Sequence, residues 1–210
     1  MINHAALQRI RTTIGAVTLV VVTKNRTPEA IRELLACGVT DIAENRLQEA
    51  EEKFAVLKDD PAFQRCTKHF IGHIQSNKAA KIAALFDVIQ SVDSLNIAEK
   101  LSATAQKLGK RLMVFIEVNA TGESQKQGVL PGDAPVLAAQ IKALPNLSLA
   151  GIMGMGPQGT EAEIRRCFRI LKQLQQSLKL PQLSMGMSGD YQTALQEGST
   201  MVRIGRLLFG

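Results

Sequence analysis

Eight short runs of apolar and β-branched residues, each separated from the next by a stretch with apolar side chains at helical spacing, restrict this chain to few architectures. The runs are Val17–Thr23, Asp41–Ala43, His69–Ile74, Val88–Val92, Leu112–Val118, Leu147–Met153, Leu183–Met187 and Thr200–Ile204. Their length and branching predict strands. Between them, residues such as Ile31, Leu34 and Leu35, or Ile97, Leu101, Ala105 and Leu108, recur at intervals of three and four and predict one helix per gap. Capping residues stand where helices should begin, at Thr27-Pro28-Glu29, Ser76-Asn77, Ser94, Gly132-Asp133 and Thr160-Glu161, and Gly38 and Gly109 mark helix ends.

Strands alternating with helices imply parallel neighbours and right-handed crossovers, so the class is α/β. An open doubly wound sheet usually has fewer strands, whereas eight βα units in about 200 residues suit a small (β/α)8 TIM barrel. No Pro/Gly/Ser linker divides the chain and the last strand runs almost to Phe209-Gly210, which predicts one domain over residues 1–210 with nothing after that domain. A helix from Asn3 to about Thr13 precedes the first strand and is expected to cover the wall that a trailing eighth helix would occupy.

Composition narrows the function classes. No apolar run reaches the roughly 18 residues of a membrane span, and the N-terminus has no basic-then-apolar leader, so the expected location is the cytoplasm. Cys37, Cys66 and Cys167 lie far apart and form no metal-ligand pattern, which predicts three structural thiols and no metal site. The net charge of +6 is scattered, and only 4% of residues are aromatic, with no Trp, so specific nucleic-acid binding is not expected. A phosphate on a small ligand accounts for the basic balance equally well.

In a barrel, chemistry sits at the C-terminal ends of the strands. The residues there are Lys24, Glu44 with Asn45, His73 with Gln75 and Asn77, Asp93, Asn119, Met153, Ser188 with Gly189, and Arg203 with Gly205. Lys24 closes the run Leu19-Val20-Val21-Val22-Thr23; beside an apolar interior it would be desolvated and nucleophilic, or it snorkels out to water. The turns Ser188-Gly189-Asp190 and Arg203-Ile204-Gly205 end the last two strands, where glycine lets backbone N–H groups approach a phosphate and a helix starting at Asp190 adds a positive end. His69 and His73 read as core or rim histidines on one strand face. Glu117, Asn119, Glu123 and Lys126 border a polar loop, and Met153, Met155, Met185 and Met187 read as soft core filler.

These residues, in this order and with these gaps, resemble the pyridoxal 5′-phosphate (PLP) homeostasis protein family, which is similar to the N-terminal domain of alanine racemase. The blocks that carry the resemblance are Val20 to Lys24, Glu44 to Ala50, His69 to Lys78, Val118-Asn119 with Glu123, Lys126 and Gly128, Gly151 to Met153, Leu183 to Ser188 and Gly198 to Gly205. The chain departs from the family pattern at Lys68, over a shortened 57–67 segment, and at Arg206, where relatives carry a small hydroxyl residue.

The resemblance implies a barrel of the fold-type III PLP class without the C-terminal β domain. It implies PLP held on Lys24 as an internal aldimine, Asn45 near the ring, Ser188, Gly189 and Gly205 on the phosphate, and Arg203 on either the ring nitrogen or the phosphate. It implies a carrier that buffers PLP or delivers it to PLP-dependent apoenzymes, with no catalytic residue; Lys126, on a loop at the same barrel face, is a candidate acceptor in transfer, and no interface stripe is readable, which predicts a monomer. The alternative is a small amino-acid racemase. For that reading the only tyrosine, Tyr191, starts a helix and does not supply a base opposite Lys24.

Overall fold

A computed structural model describes residues 2–123 and 125–209, so Met1, Ser124 and Gly210 of the 1–210 span lie outside the described residues. Eight parallel strands close into a barrel in chain order. They are β1 (Thr18–Val22), β2 (Asp41–Glu44), β3 (Thr67–Phe70), β4 (Val88–Val92), β5 (Leu112–Glu117), β6 (Leu147–Met153), β7 (Gln182–Ser184) and β8 (Met201–Ile204). β1 closes the ring by pairing with both neighbours, Val20 opposite Asp41 of β2 and Thr18 opposite Met201 of β8.

Alternation along the strands divides the core in two. Val20, Ala43, Val88, Phe115, Ala150, Met153 and Met201 pack together inside the barrel, while the adjacent Val21, Ile42, Ile89, Val114 and Val202 join the larger cluster under the helices. Burial on both faces explains why the strands read as continuous apolar runs.

The outer layer holds α1 (His4–Ile14), α2 (Pro28–Ala36), α3 (Leu47–Leu57), α4 (Pro61–Arg65), α5 (Ala79–Leu85), α6 (Leu95–Lys107), α7 (Ala134–Ala143), α8 (Glu161–Ser177), α9 (Tyr191–Gln196) and α10 (Arg206–Phe209). The expectation of one helix per gap fails between β2 and β3, where two occur. Asp60 accepts from the Ala62 and Phe63 amides and Pro61 opens the turn, so the shortened segment forms α4. The closing wall holds a short helix besides the expected N-terminal one. The short α10 continues from β8, and the Asn3 amide donates to Leu208 O at 2.8 Å, so α1 and α10 share the closing wall.

Two of the expected helix starts are well formed. Thr27 caps α2, and Thr160 with Glu163 forms a capping box on α8. Ser76-Asn77 does not cap: α5 begins at Ala79 after Lys78, with no side-chain cap. Gly38 and Gly109 take the left-handed conformation expected at helix ends. Cys66 and Cys167 are buried, and burial pushes both thiols up to about 11, which makes them inert. Among the described residues no helix is long and apolar enough to cross a membrane.

Candidate functional site

The C-terminal mouth of the barrel opens into a cleft of about 480 Å³. Lys24, Asn45, Ser188, Arg203 and Gly205 line it together, so five of the six residues singled out from the sequence converge. Gly189 does not line it; this glycine sits on the rim beside Ser188, with open space on its Cβ side. Arg26, Ile71, Met155, Met187, Arg206 and Phe209 complete much of the wall. Of these only Arg206 was singled out as a cation near the site. Arg26, two residues past Lys24, was the recoverable signal. Met155 and Met187 are cleft residues rather than core filler, whereas Met153 and Met185 are buried as expected.

The electrostatics of the lining are one-sided. Lys24, Arg26, Arg203 and Arg206 face the cleft and no carboxylate does. Arg26 lies 4.6 Å over the Phe209 ring, which fixes its guanidinium at the mouth.

Lys24 is exposed, so of the two sequence alternatives the lysine reaching out to water is the one found. The physical reason is that β1 ends at Val22, two residues earlier, and the chain turns outward through Asn25, whose φ is +57°. Among the described residues Lys24 makes no ion pair or hydrogen bond.

Gly205 N–H donates to Ser188 Oγ at 3.4 Å, which brings the β7 and β8 turns together. The Ser188 and Gly189 amides donate to no acceptor among the described residues, so these N–H groups and the Ser188 hydroxyl are available to an anion. The helix expected at Asp190 is the six-residue α9, and Asp190 Oδ1 accepts from the Met187 amide at 2.6 Å, which shapes the turn.

Arg203 is buried inside the barrel. Its Nη1 donates to Ser184 O at 2.9 Å and to Ser184 Oγ at 2.7 Å, and its Nη2 donates to Gly154 O at 3.0 Å. Burial lowers this guanidinium to about 10, against the pull of Glu117 and Asp190. Behind it runs a chain of buried donors. Ser184 Oγ donates to Gln90 Oε1 at 2.7 Å, Gln90 Nε2 to His69 Nδ1 at 2.9 Å, and His69 Nε2 to Asp41 Oδ1 at 2.9 Å. Burial raises the Asp41 carboxyl, but the His69 and Thr40 hydrogen bonds outweigh it and hold the group low. His69 is thus the expected core histidine. His73, placed on the same strand from the sequence, instead lies beyond the end of β3 and is exposed.

Asn45 is held against a glycine. A Cβ on Gly72 would stand 2.0 Å from Asn45 O, so only glycine lets the β3 loop cross the β2 end at this distance. Asn45 Oδ1 is buried without a hydrogen-bond partner among the described residues. A polar ligand in the cleft would relieve that cost.

Glu117, at the end of β5, is buried, and burial with the nearby Asp93 pushes its carboxyl from 4.5 up to about 7, opposed by Arg203. In that window the folded chain keeps a proton that the unfolded chain has released, so stability is full below pH 4.5 and falls as pH rises through about 7. Replacing Glu117 with glutamine should leave stability unchanged near pH 4.5 and raise it by about 3 kcal/mol at pH 8. Urea unfolding at both pH values measures this, and parallel wild-type and variant curves would refute it.

Lys126 lies on the β5–α7 loop, paired with Glu123 at 2.6 Å and near Gly156 O at 3.4 Å, outside the cleft lining.

The fold and the anion-receptive mouth define a class. Residues 4–210 match the family described as alanine racemase, N-terminal domain, and the chain is a fold-type III PLP barrel. An alanine racemase of Clostridium difficile has the same fold at 17% identity, with a TM-score of 0.79 over all of this chain and 56% of that one. A pyridoxal phosphate homeostasis protein of Pseudomonas aeruginosa is 44% identical over 199 residues, covering 93% of this chain and 85% of that protein. PipY of Synechococcus elongatus, solved with PLP bound, superposes with a TM-score of 0.90 at 36% identity, over 98% of this chain and 99% of that one. The chain belongs to the pyridoxal phosphate homeostasis protein family.

Proposed function

We propose that the cleft binds PLP, that the Lys24 amine holds it covalently, and that the protein buffers or delivers the cofactor without turnover. The observation that carries this reading is a lining with four basic groups, no carboxylate, and an unpaired exposed lysine. PLP supplies a phosphate dianion and an aldehyde that condenses reversibly with primary amines.

The Ser188 hydroxyl and the Gly189 and Gly205 amides hold the phosphate, with Arg206 as a nearby cation. Asn45 brings its unpartnered Oδ1 to the ring. Arg203 has Nη1 committed to Ser184 and one Nη2 donor to Gly154, which leaves Nε–H and the second Nη2 donor for the cofactor. Exposure of Lys24 at the mouth lets water or a second amine reach the linkage, as release to an apoenzyme requires. Proton chemistry on both faces of a ring needs a second acid or base. The lining contains no Asp, Glu, His, Tyr or Cys, which favours a carrier, and the homeostasis names of the relatives support the same non-enzymatic role. Residues 1–210 act in this reading as one domain, monomeric and cytoplasmic.

The test is to load the protein with PLP, reduce with borohydride and map the modified peptide, then incubate unreduced protein with amino acids in D2O and with a PLP-dependent apoenzyme. Label on Lys24, activation of the apoenzyme and no α-deuterium are expected. Exchange at the α-carbon would replace the carrier with a racemase-type enzyme.

A further inference from the structure

Behind Lys24 lies a buried cluster of charge that the cleft does not use. Lys53, on α3, is buried with its side chain 7% exposed. Its ammonium donates to Thr23 O at 2.7 Å and Glu44 Oε1 at 2.7 Å, and pairs with Glu49 Oε1 at 2.6 Å. Thr23 Oγ1 also donates to Glu44 Oε1, at 2.6 Å. The same Glu49 oxygen accepts from the backbone amide of Asn25. Burial raises the Glu44 carboxyl against its bonds to Lys53 and Thr23. Burial also raises Glu49, but the Lys53 and Asn25 hydrogen bonds outweigh it and hold that carboxyl low.

These contacts fall on the two residues that flank Lys24. Thr23 is bound through its carbonyl and its hydroxyl, and Asn25 through its N–H while it sits in the left-handed region. Lys24 itself has no partner among the described residues. Three acceptors, Thr23 O, Glu44 Oε1 and Glu49 Oε1, surround the Lys53 nitrogen and hold it away from the cleft lining. A free amine on a flexible loop would meet an incoming aldehyde in many orientations, whereas one on a backbone fixed at both sides meets it in few.

We infer that Lys53 is a positioning residue: with Glu44 and Glu49 it clamps Thr23 and Asn25 so that the exposed Lys24 amine projects into the cleft. The inference rests on Lys24 as the attachment point.

Lys53→Met alone strands two carboxylates, so the test uses Lys53→Met with Glu44→Gln, which restores charge balance, and separately Glu49→Ala, a change at a partly exposed position. Three quantities are read: thermal stability, hydrogen exchange of the Asn25 amide, and the rate at which borohydride-fixed PLP accumulates on Lys24. In the double variant, stability near wild type with Asn25 exchange at least about 10-fold faster and capture at least about 10-fold slower is expected; Glu49→Ala should move both rates the same way. Capture at the wild-type rate in folded variants would overturn the inference and reduce Lys53 to a structural residue. Unchanged Asn25 exchange would overturn the clamp itself. If wild-type protein carries the label on another lysine, the attachment reading fails, and the exchange measurement still decides the clamp.

Discussion

A Lys24→Ala protein, loaded with PLP and desalted, is expected to lose its near-visible absorbance and to fix no cofactor mass on borohydride treatment. Lys24 is the only lysine lining the cleft. Lys53, packed behind it, is enclosed by Thr23 O, Glu44 and Glu49 and does not line the cleft. The phosphate donors at Ser188 and Gly205 remain, so weak non-covalent binding persists. Retention should fall by about 100-fold or more, equivalent to about 3 kcal/mol. Equilibrium dialysis with the absorbance spectrum measures both parts, and a variant that keeps the wild-type spectrum would show that Lys24 is not the attachment.

Gly72→Ala is expected to have the largest effect on stability of any single methyl added to the site. The new Cβ would stand 2.0 Å from Asn45 O, 2.7 Å from its carbonyl carbon and 2.9 Å from its Cα. All three are backbone atoms next to β2, so no side-chain rotation relieves the clash. A destabilisation of about 3 kcal/mol or more should follow, which for a chain of this size lowers the Tm by about 10 °C. Because Asn45 must move, PLP retention should fall as well. Gly132→Ala serves as the control, since nothing lies within 4 Å of the added Cβ, and it should change stability by no more than about 0.5 kcal/mol. Calorimetry on the two variants tests the contrast; equal melting temperatures would remove the close-approach explanation of Gly72.

The barrel was legible because each strand is buried on both faces and so declares itself as an apolar run. Its boundaries were not. His69 to Ile74 reads as one strand, yet pairing ends at Phe70, because Gly72 carries the chain across Asn45 rather than along β4. The start of α4 was written plainly in Asp60-Pro61, an N-cap followed by a proline at the first turn, but a stretch judged short did not invite a helix.

The site was legible where position in a barrel specifies it, at the ends of β1, β2, β7 and β8. Lys24 shows the limit of that argument, since the single residue Thr23 between the strand end and the lysine separates burial from exposure. Lys53 shows another. Glu49 and Lys53 are spaced four apart and read as an ordinary surface pair on a helix; only the packing of α3 against the ends of β1 and β2 turns the ammonium inward. Gln90 and Ser184 are single polar residues in apolar strands, and no local pattern says that they meet.

That meeting gives the barrel interior a direction. From Arg203 through Ser184, Gln90 and His69 to Asp41 every hydrogen bond is donated the same way, from the cleft toward the opposite rim. Gln90 Nε2 can only donate, so His69 Nδ1 is the acceptor and His69 Nε2 is the atom that faces Asp41. The floor of a barrel of this kind ordinarily matters for stability alone. Here the rim at Asp41 and the guanidinium at the mouth are two ends of one line of hydrogen bonds that crosses the barrel interior.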